Sequence, residues 1–184
     1  MSKRIAFLTA AAVGAFALTA TIVAPVSAQE KTVMVGGAAM FPSRNIIQNA
    51  VNSKDHTTLV AAVKAAGLVG TLEGKGPFTV FAPTNAAFGK LPEGTVDTLV
   101  KPENKAALTK ILTYHVVPGK LEASDLNDGK KLKTVESEEL TVKKANGKVM
   151  IVDAKGGTAT VTISNVNQSN GVIHVVDTVL MPAS

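Results

Sequence analysis

The sequence predicts an α+β domain, with helices in the first half of the chain and antiparallel strands in the second. Between residues 43 and 112, apolar residues recur at the spacing of amphipathic helices. Beyond residue 130 the period changes to two, because apolar residues alternate with Thr and Lys. Asn146-Gly147 separates two alternating runs, and an Asn-Gly pair there is the strongest short-range signal of a β-hairpin. Since helical and strand segments do not alternate along the chain, a doubly wound parallel sheet is not expected.

Residues 1–28 have the three parts of a secretory signal peptide. Lys3 and Arg4 give a positively charged start, residues 5–25 carry no charge, and Val26-Ser27-Ala28 supplies small residues before a cleavage point. We therefore predict a mature protein that is periplasmic or secreted. An uncleaved anchor is the alternative, because the uncharged stretch is about as long as a bilayer-spanning helix. After cleavage, no segment is apolar enough to cross a membrane.

One domain is predicted over residues 43–184, after a flexible leader at residues 29–42 that contains Gly36-Gly37 and little pattern. Helices are predicted to begin near four positions, which are Pro42-Ser43, Thr57 or Thr58, Glu93 and Pro102. Residues 78–81 are predicted to form a short buried strand that stops at Pro83. Thr84 or Asn85 can then cap a short helix that carries Phe88 inward.

Composition excludes several classes of function. The chain has no Cys, so thiolate metal sites, cysteine nucleophiles and disulfide chemistry are excluded. Without Lys3 and Arg4 the net charge falls from +5 to +3. Seven lysines in the C-terminal half, with no aromatic residues between them, are Lys130, Lys131, Lys133, Lys143, Lys144, Lys148 and Lys155. Nucleic-acid binding would need stacking aromatics beside such lysines. We interpret them as a solvated strand face, with weak affinity for anionic polymers as a second interpretation.

The three histidines are the remaining candidates for chemistry. His56, His115 and His174 lie 59 residues apart in turn, so no pair has the spacing of a helical metal site. His56, next to Asp55 at a helix entrance, is expected to be solvated. The chain has no nucleophile-elbow serine motif, no phosphate-binding glycine motif and no EF-hand loop. We therefore predict no catalytic residue, no metal and no cofactor.

His174 and Asp177 are the closest approach to an acid–base pair. Residues 172–180 are rich in β-branched residues, which favours a strand over a helix. Successive side chains of a strand point to opposite faces, so residues three apart are on opposite sides. A direct His174–Asp177 dyad is therefore not expected, and each is interpreted as a separately hydrogen-bonded core residue.

Three segments, in order, resemble the signatures of the fasciclin (FAS1) domain. FTVFAPTNAAF at residues 78–88 resembles the first signature, ILTYHVV at 111–117 the tyrosine–histidine motif, and NGVIHVVDTVL at 170–180 the second signature. The resemblance covers about residues 45–181 and is greatest to single-domain, exported bacterial members. It assigns a structural role to the signature positions Phe81, Pro83, Thr84, Asn85, Phe88, His174 and Asp177.

The resemblance implies helices packed on a wedge of about seven mostly antiparallel strands. It also implies an adhesion module without catalysis or cofactor. In animal relatives the tyrosine–histidine motif and an Asp-Ile pair before the second signature are linked to integrin binding. Tyr114 and His115 match the motif, but the aligned pair here is Asn165-Val166, so the acidic residue is missing. These four are the candidate interaction residues, although integrin-type recognition is not expected. Asn85 stands where the family commonly has Asp; it keeps a capping oxygen without the charge, which favours a structural role.

Three hypotheses follow. The first is an exported adhesion or interaction module that binds a protein or polysaccharide of the cell envelope, the matrix or a host surface, with effects on biofilm or symbiosis. The second is a small-ligand carrier or an unrecognised enzyme that uses His115 or His174. The third is a stress- or symbiosis-induced envelope protein. A single binding patch would need avidity for adhesion, and the sequence makes no prediction of the oligomeric state.

Overall fold

The computed structural model describes residues 31–183. It contains a seven-stranded sheet and a separate two-stranded hairpin. The strands are β1 (Val33–Val35), β2 (Ala38–Met40), β3 (Phe78–Pro83), β4 (Val116–Pro118), β5 (Lys131–Lys133), β6 (Glu139–Ala145), β7 (Lys148–Val152), β8 (Thr158–Gln168) and β9 (Gly171–Val176). The large sheet has the order β4-β3-β9-β8-β7-β6-β5, and its one parallel pair is β3 with β9. The predicted α+β class and seven-stranded, mostly antiparallel architecture are confirmed.

Short helices cover one side of this sheet. They are α1 (Ile46–Ala50), α2 (Thr57–Ala66), α3 (Val69–Leu72), α4 (Asn85–Gly89), α5 (Thr95–Leu99) and α6 (Lys105–Tyr114). Two 3₁₀ turns, Lys54–His56 and Pro102–Asn104, lead into α2 and α6. Pro102 occupies the first turn, where its missing N–H has no intrahelical partner to lose, as predicted. In the described range 31–183, no helix is both long and apolar enough to cross a membrane.

The hairpin predicted at Asn146-Gly147 is present. Ala145 pairs with Lys148 across the turn, and the turn residues have φ values of 52° and 73°, as the favoured two-residue hairpin turn requires. Beyond β5, the Val135 N–H donates to the Val116 carbonyl at 2.8 Å, which joins the far edge of the sheet to β4. The sheet therefore curves almost into a barrel.

Two hydrophobic cores result from this curvature. The helix-side core lies between the helices and the sheet; its members include Ile47, Leu59, Val63, Val80, Leu112, Ile173 and Val175. The barrel core fills the concave side of the sheet; its members include Phe81, Tyr114, Leu126, Leu140, Val142, Ile151, Val176 and Leu180. Strands β3 and β9 contribute to both cores because alternate side chains point to opposite faces.

The prediction of a flexible leader is wrong for residues 33–40, which form the β1–β2 hairpin. Gly36 and Gly37 have φ values of 57° and 75°, so the pair forms a tight hairpin turn rather than a flexible joint. Val35 and Met40 are buried in the helix-side core, whereas Met34, on the opposite face, is 59% exposed. The folded domain therefore begins before residue 43. The predicted signal peptide, residues 1–28, lies outside the described residues.

Truncating the hairpin's buried methionine should destabilise the protein. We expect Met40→Ala to lower the free energy of unfolding by about 2–4 kcal/mol, because it removes buried apolar volume and leaves a void. The matched control is Met34→Ala on the same hairpin, which should change it by less than about 0.5 kcal/mol. Urea denaturation followed by circular dichroism measures both, and equal effects would contradict the docking of the hairpin.

Candidate functional site

His174 lies in the middle of β9 and is completely buried. Its Nε2–H donates to the Leu121 carbonyl at 2.7 Å, and the Asn165 N–H donates to Nδ1 at 3.4 Å. The ring stacks on Phe81 with 5.7 Å between centroids. Burial lowers the pKa of His174, although the Leu121 carbonyl and Glu122 partly offset this. The imidazole is thus a neutral core group that joins β9 to the loop after β4.

Asp177 has a separate set of partners just beyond β9. Its Oδ1 accepts from the Thr160 N–H at 2.8 Å and from the Thr178 hydroxyl at 3.0 Å. Burial opposes its ionisation, but these hydrogen bonds and the Lys90 ammonium, 3.7 Å away, bring the net pKa below its usual value. Asp177 therefore links β8 to the end of β9 by a hydrogen bond. His174 and Asp177 form no dyad, as strand alternation predicts.

His115 connects the end of α6 to the C-terminal segment. Its Nδ1–H donates to the Ile111 carbonyl at 2.8 Å, and the Leu180 N–H donates to Nε2 at 2.9 Å. Burial lowers the pKa of His115 to about 4, with the Ile111 carbonyl and Asp153 acting in the opposite direction. Both ring nitrogens are therefore occupied by backbone groups, and the ring is neutral at pH 7.

The other candidate interaction residues are largely internal. Tyr114 is buried in the barrel core, where its hydroxyl donates to the Glu139 carbonyl at 3.3 Å and accepts from the Ala154 N–H at 2.9 Å. Val166 is buried in the helix-side core. Asn165 is partly exposed at an irregularity in β8, with φ of 57°. The role of these residues in partner binding stays a prediction.

Asn85, in the first signature, caps a helix other than its own. Thr84 Oγ1 accepts from the Ala87 N–H at 3.2 Å and caps α4. The Asn85 Oδ1 instead accepts from the Thr58 N–H at 3.0 Å, at the start of α2. Its Nδ2 donates to the Lys54 carbonyl at 2.8 Å, which an Asp carboxylate could not do. This explains why an amide suits this position, and it locates the α2 cap that the sequence assigned to Thr57 or Thr58.

His56 is buried, contrary to the prediction that it is solvated. The Lys54–His56 turn directs the ring beneath α2, where Nδ1 and the Ser53 hydroxyl share a hydrogen bond of 2.9 Å. Nε2 has no hydrogen-bond partner among the described residues. Burial lowers the pKa of His56, and the Ala82 carbonyl and Asp55 offset this only in part. Sequence reasoning missed it because a neighbouring Asp is a weak indicator of exposure.

No three His, Asp or Glu side chains within residues 31–183 come together as a possible metal site. Each histidine also has its own hydrogen-bond partners. The signature residues therefore make a hydrogen-bonded interior that connects strands and helices.

Residues 54–182 match the family model of the fasciclin domain, which is more than half of the chain. The chain belongs to the fasciclin domain family. The FAS1 domain pair of the insect cell adhesion molecule fasciclin I matches this fold with a TM-score of 0.69 at 18% identity, over 77% of this chain and 52% of that one.

Bacterial relatives resemble this fasciclin protein more closely in sequence. Protein sll1483 of Synechocystis is 46% identical over 181 residues, which is 98% of this chain and 97% of that protein. The immunogenic protein MPB70 of Mycobacterium bovis is 39% identical and covers 72% of this chain and 66% of its own length. The cell surface glycolipoprotein MPB83 of the same species is also 39% identical, covering 80% and 64%. The family is thus associated with cell-surface and adhesion proteins.

The stability of this fasciclin domain should decrease as pH falls from about 6.5 to about 4. Folded His115 stays neutral down to about pH 4, whereas the unfolded side chain protonates near pH 6.5, so the unfolded state binds more protons in this window. The stabilisation is complete above the unfolded pKa, and His115 alone accounts for a loss of about 3 kcal/mol towards the lower one.

Urea unfolding at a series of pH values measures this dependence. His115→Gln, which does not titrate there, should give a shallower slope of unfolding free energy against pH than the wild-type protein. A residual slope is expected from His56 and His174, whose pKa values burial also lowers. An unchanged slope in the variant would show that His115 is not the buried titrating group.

Removing the distant cap of α2 should destabilise the fasciclin domain. Asn85→Ala leaves the Thr58 N–H and the Lys54 carbonyl without their partner, so we expect a loss of about 1 kcal/mol. Thr58→Ala is the control for the cap that the sequence alone favoured, and it should cost less than about 0.5 kcal/mol. Thermal and urea denaturation measure both variants; the reverse order would indicate a local Thr cap.

Proposed function

We propose that this fasciclin protein is an exported, non-catalytic interaction module that binds an anionic polysaccharide of the cell envelope or matrix. The observation that carries the proposal is a basic surface on the outside of the curved sheet. We call it the lysine face, and its charged members are Lys131 and Lys133 of β5, Lys143 of β6 and Lys148 of β7.

Strand register brings these lysines together. Leu132 and Val142 are buried in the barrel core and Val149 packs against it, so the lysines next to them in sequence point outward. Lys131 is opposite Thr141, and Lys143 is opposite Met150. The four lysines therefore share one surface, although they come from three strands and 18 positions of sequence.

The lysine face has little negative charge of its own. Lys131 pairs with Glu139 at 3.2 Å, and Glu139 is the only acidic residue within β5, β6 and β7. Lys133 is directly opposite Glu139, and no two of the four lysines are opposite each other. A polymer that carries repeated carboxylates or sulfates would contact several lysines at once, which compensates for the weakness of each exposed ion pair.

Export and the absence of catalysis are part of the same proposal. The predicted signal peptide supports export, and a cell surface glycolipoprotein is among the relatives. An enzyme that used His115 or His174 would need a ring nitrogen accessible to substrate. Both nitrogens of each ring contact backbone groups instead, which favours the interaction module over the enzyme.

The test is the affinity of the purified protein for alginate, with uncharged dextran as the control polymer. We expect Lys143→Gln/Lys148→Gln to weaken alginate binding about three- to tenfold, since exposed pairs contribute about 0.2–1 kcal/mol each. The matched control is Lys64→Gln/Lys101→Gln, which changes two exposed lysines on the helical side and should leave affinity unchanged. Binding should also weaken as salt is raised.

Equal weakening in both double variants, or equal affinity for dextran, would contradict recognition by the lysine face. A protein partner from the envelope that binds wild type and the Lys143→Gln/Lys148→Gln variant equally well, without alginate affinity, would favour the protein-binding form of the hypothesis. Circular dichroism confirms that each variant is folded.

A further inference from the structure

An apolar cavity lies inside the helix-side core, beneath the N-terminal hairpin. Its walls come from the hairpin, α1, α2, α6 and the sheet, and include Val35, Met40, Ile47, Leu59, Val63 and Ile173. The volume of the cavity is about 40 Å³. A cavity needs about 10–15 Å³ to hold one water molecule, so this one has room for a group larger than a single water.

One unsatisfied polar atom belongs to a wall residue of this cavity. His56 is 3% exposed and contributes to the wall, and its Nε2 makes no hydrogen bond of normal geometry with the described residues. The Ala82 carbonyl, also in the wall, raises the pKa of the ring but does not complete such a bond. Nδ1 is already held by Ser53. His115 also contributes to the wall, but its nitrogens contact the backbone of Ile111 and Leu180. Burying a polar group without a partner costs about 1–3 kcal/mol, so a complementary group in the cavity would restore stability.

Water alone fits this site poorly. A buried water molecule is held by two to four polar partners, and the walls are otherwise almost entirely aliphatic. A charged ligand fits no better, because transferring an unpaired charge into apolar surroundings is very costly. An uncharged molecule with an apolar body and one polar atom satisfies both the walls and His56.

We propose that this cavity binds a small, uncharged, largely apolar molecule that carries one hydroxyl group, and that the hydroxyl hydrogen-bonds to His56 Nε2. A hydroxyl both donates and accepts, so it complements either tautomer of the neutral ring. The hairpin that supplies Val35 and Met40 to the wall precedes residues 54–182, the part that matches the family model. The site is therefore completed by a segment outside the matched fasciclin region.

Isobutanol is the probe, and ¹⁵N NMR of the His56 ring in the purified protein is the readout. We expect a saturable shift of the Nε2 resonance at millimolar isobutanol. Ala50→Leu, which places a larger side chain in the wall, should abolish it. The matched control is Ala65→Leu, the same change on the exposed face of α2, which should bind as the wild type does.

Xenon, which has no polar atom, separates the cavity from its hydrogen bond. In His56→Leu, xenon should still bind, whereas isobutanol affinity should fall about two- to tenfold, the contribution of one hydrogen bond. The proposal is overturned if isobutanol causes no saturable shift or if Ala50→Leu binds it normally. It is equally overturned if His56→Leu binds it with wild-type affinity. Because none of these variants alters the lysine face, failure here leaves the polysaccharide proposal standing.

Discussion

The constraint on which the rest of the structure depends is the burial of β9 on both faces. All six of its residues are buried, and it lies between β3 and β8 in the middle of the sheet. Ile173 and Val175 enter the helix-side core, while Val176 enters the barrel core, so one short strand joins both cores. Just before it, the buried Asn170 side chain donates to the carbonyls of Leu72 and Gly74 and accepts from the Ile46 N–H. The helices are thereby attached to the same strand, and both cores of the domain are assembled around it.

A domain assembled in this way needs hydrogen-bond partners for the backbone N–H and carbonyl groups that are left unpaired where strands bend and helices end. The chain has no disulfide, so these connections are made by side-chain hydrogen bonds to backbone. His174 and His115 each bridge two backbone groups that are far apart in sequence. Asn85 binds two backbone groups at the start of α2, Lys54 and Thr58. Neutral imidazole suits the task because it carries one donor and one acceptor on a rigid ring. Histidines that resemble catalytic residues in the sequence therefore hold distant segments of the chain together, and burial keeps them uncharged.

Two features of the domain take no part in these structural hydrogen bonds and are available for binding. The outside of the sheet has lysines whose partners are few, and the interior has one imidazole nitrogen without a partner. These two features support recognition of different kinds. The first relies on many weak, salt-sensitive contacts with a polymer, whereas the second relies on apolar enclosure and a single hydrogen bond. The lysine face is on the outside of the sheet, whereas the cavity lies between the helices and the sheet, so the two forms of binding need not compete.

Local pattern determined much of this protein by itself. Alternation placed His174 and Asp177 on opposite faces, Asn146-Gly147 marked a hairpin, and the ordered signatures identified the family. These features depend on neighbours in sequence, where period and turn chemistry are decided. Only the tertiary structure decided the rest: Gly36-Gly37 is a turn because Val35 and Met40 find a core to enter, and His56 is buried because the hairpin and α2 enclose it. Asn85 caps a helix that begins 28 residues earlier in the chain. Such outcomes depend on which distant segments pack together. Local sequence periodicity does not determine the free energy of that packing.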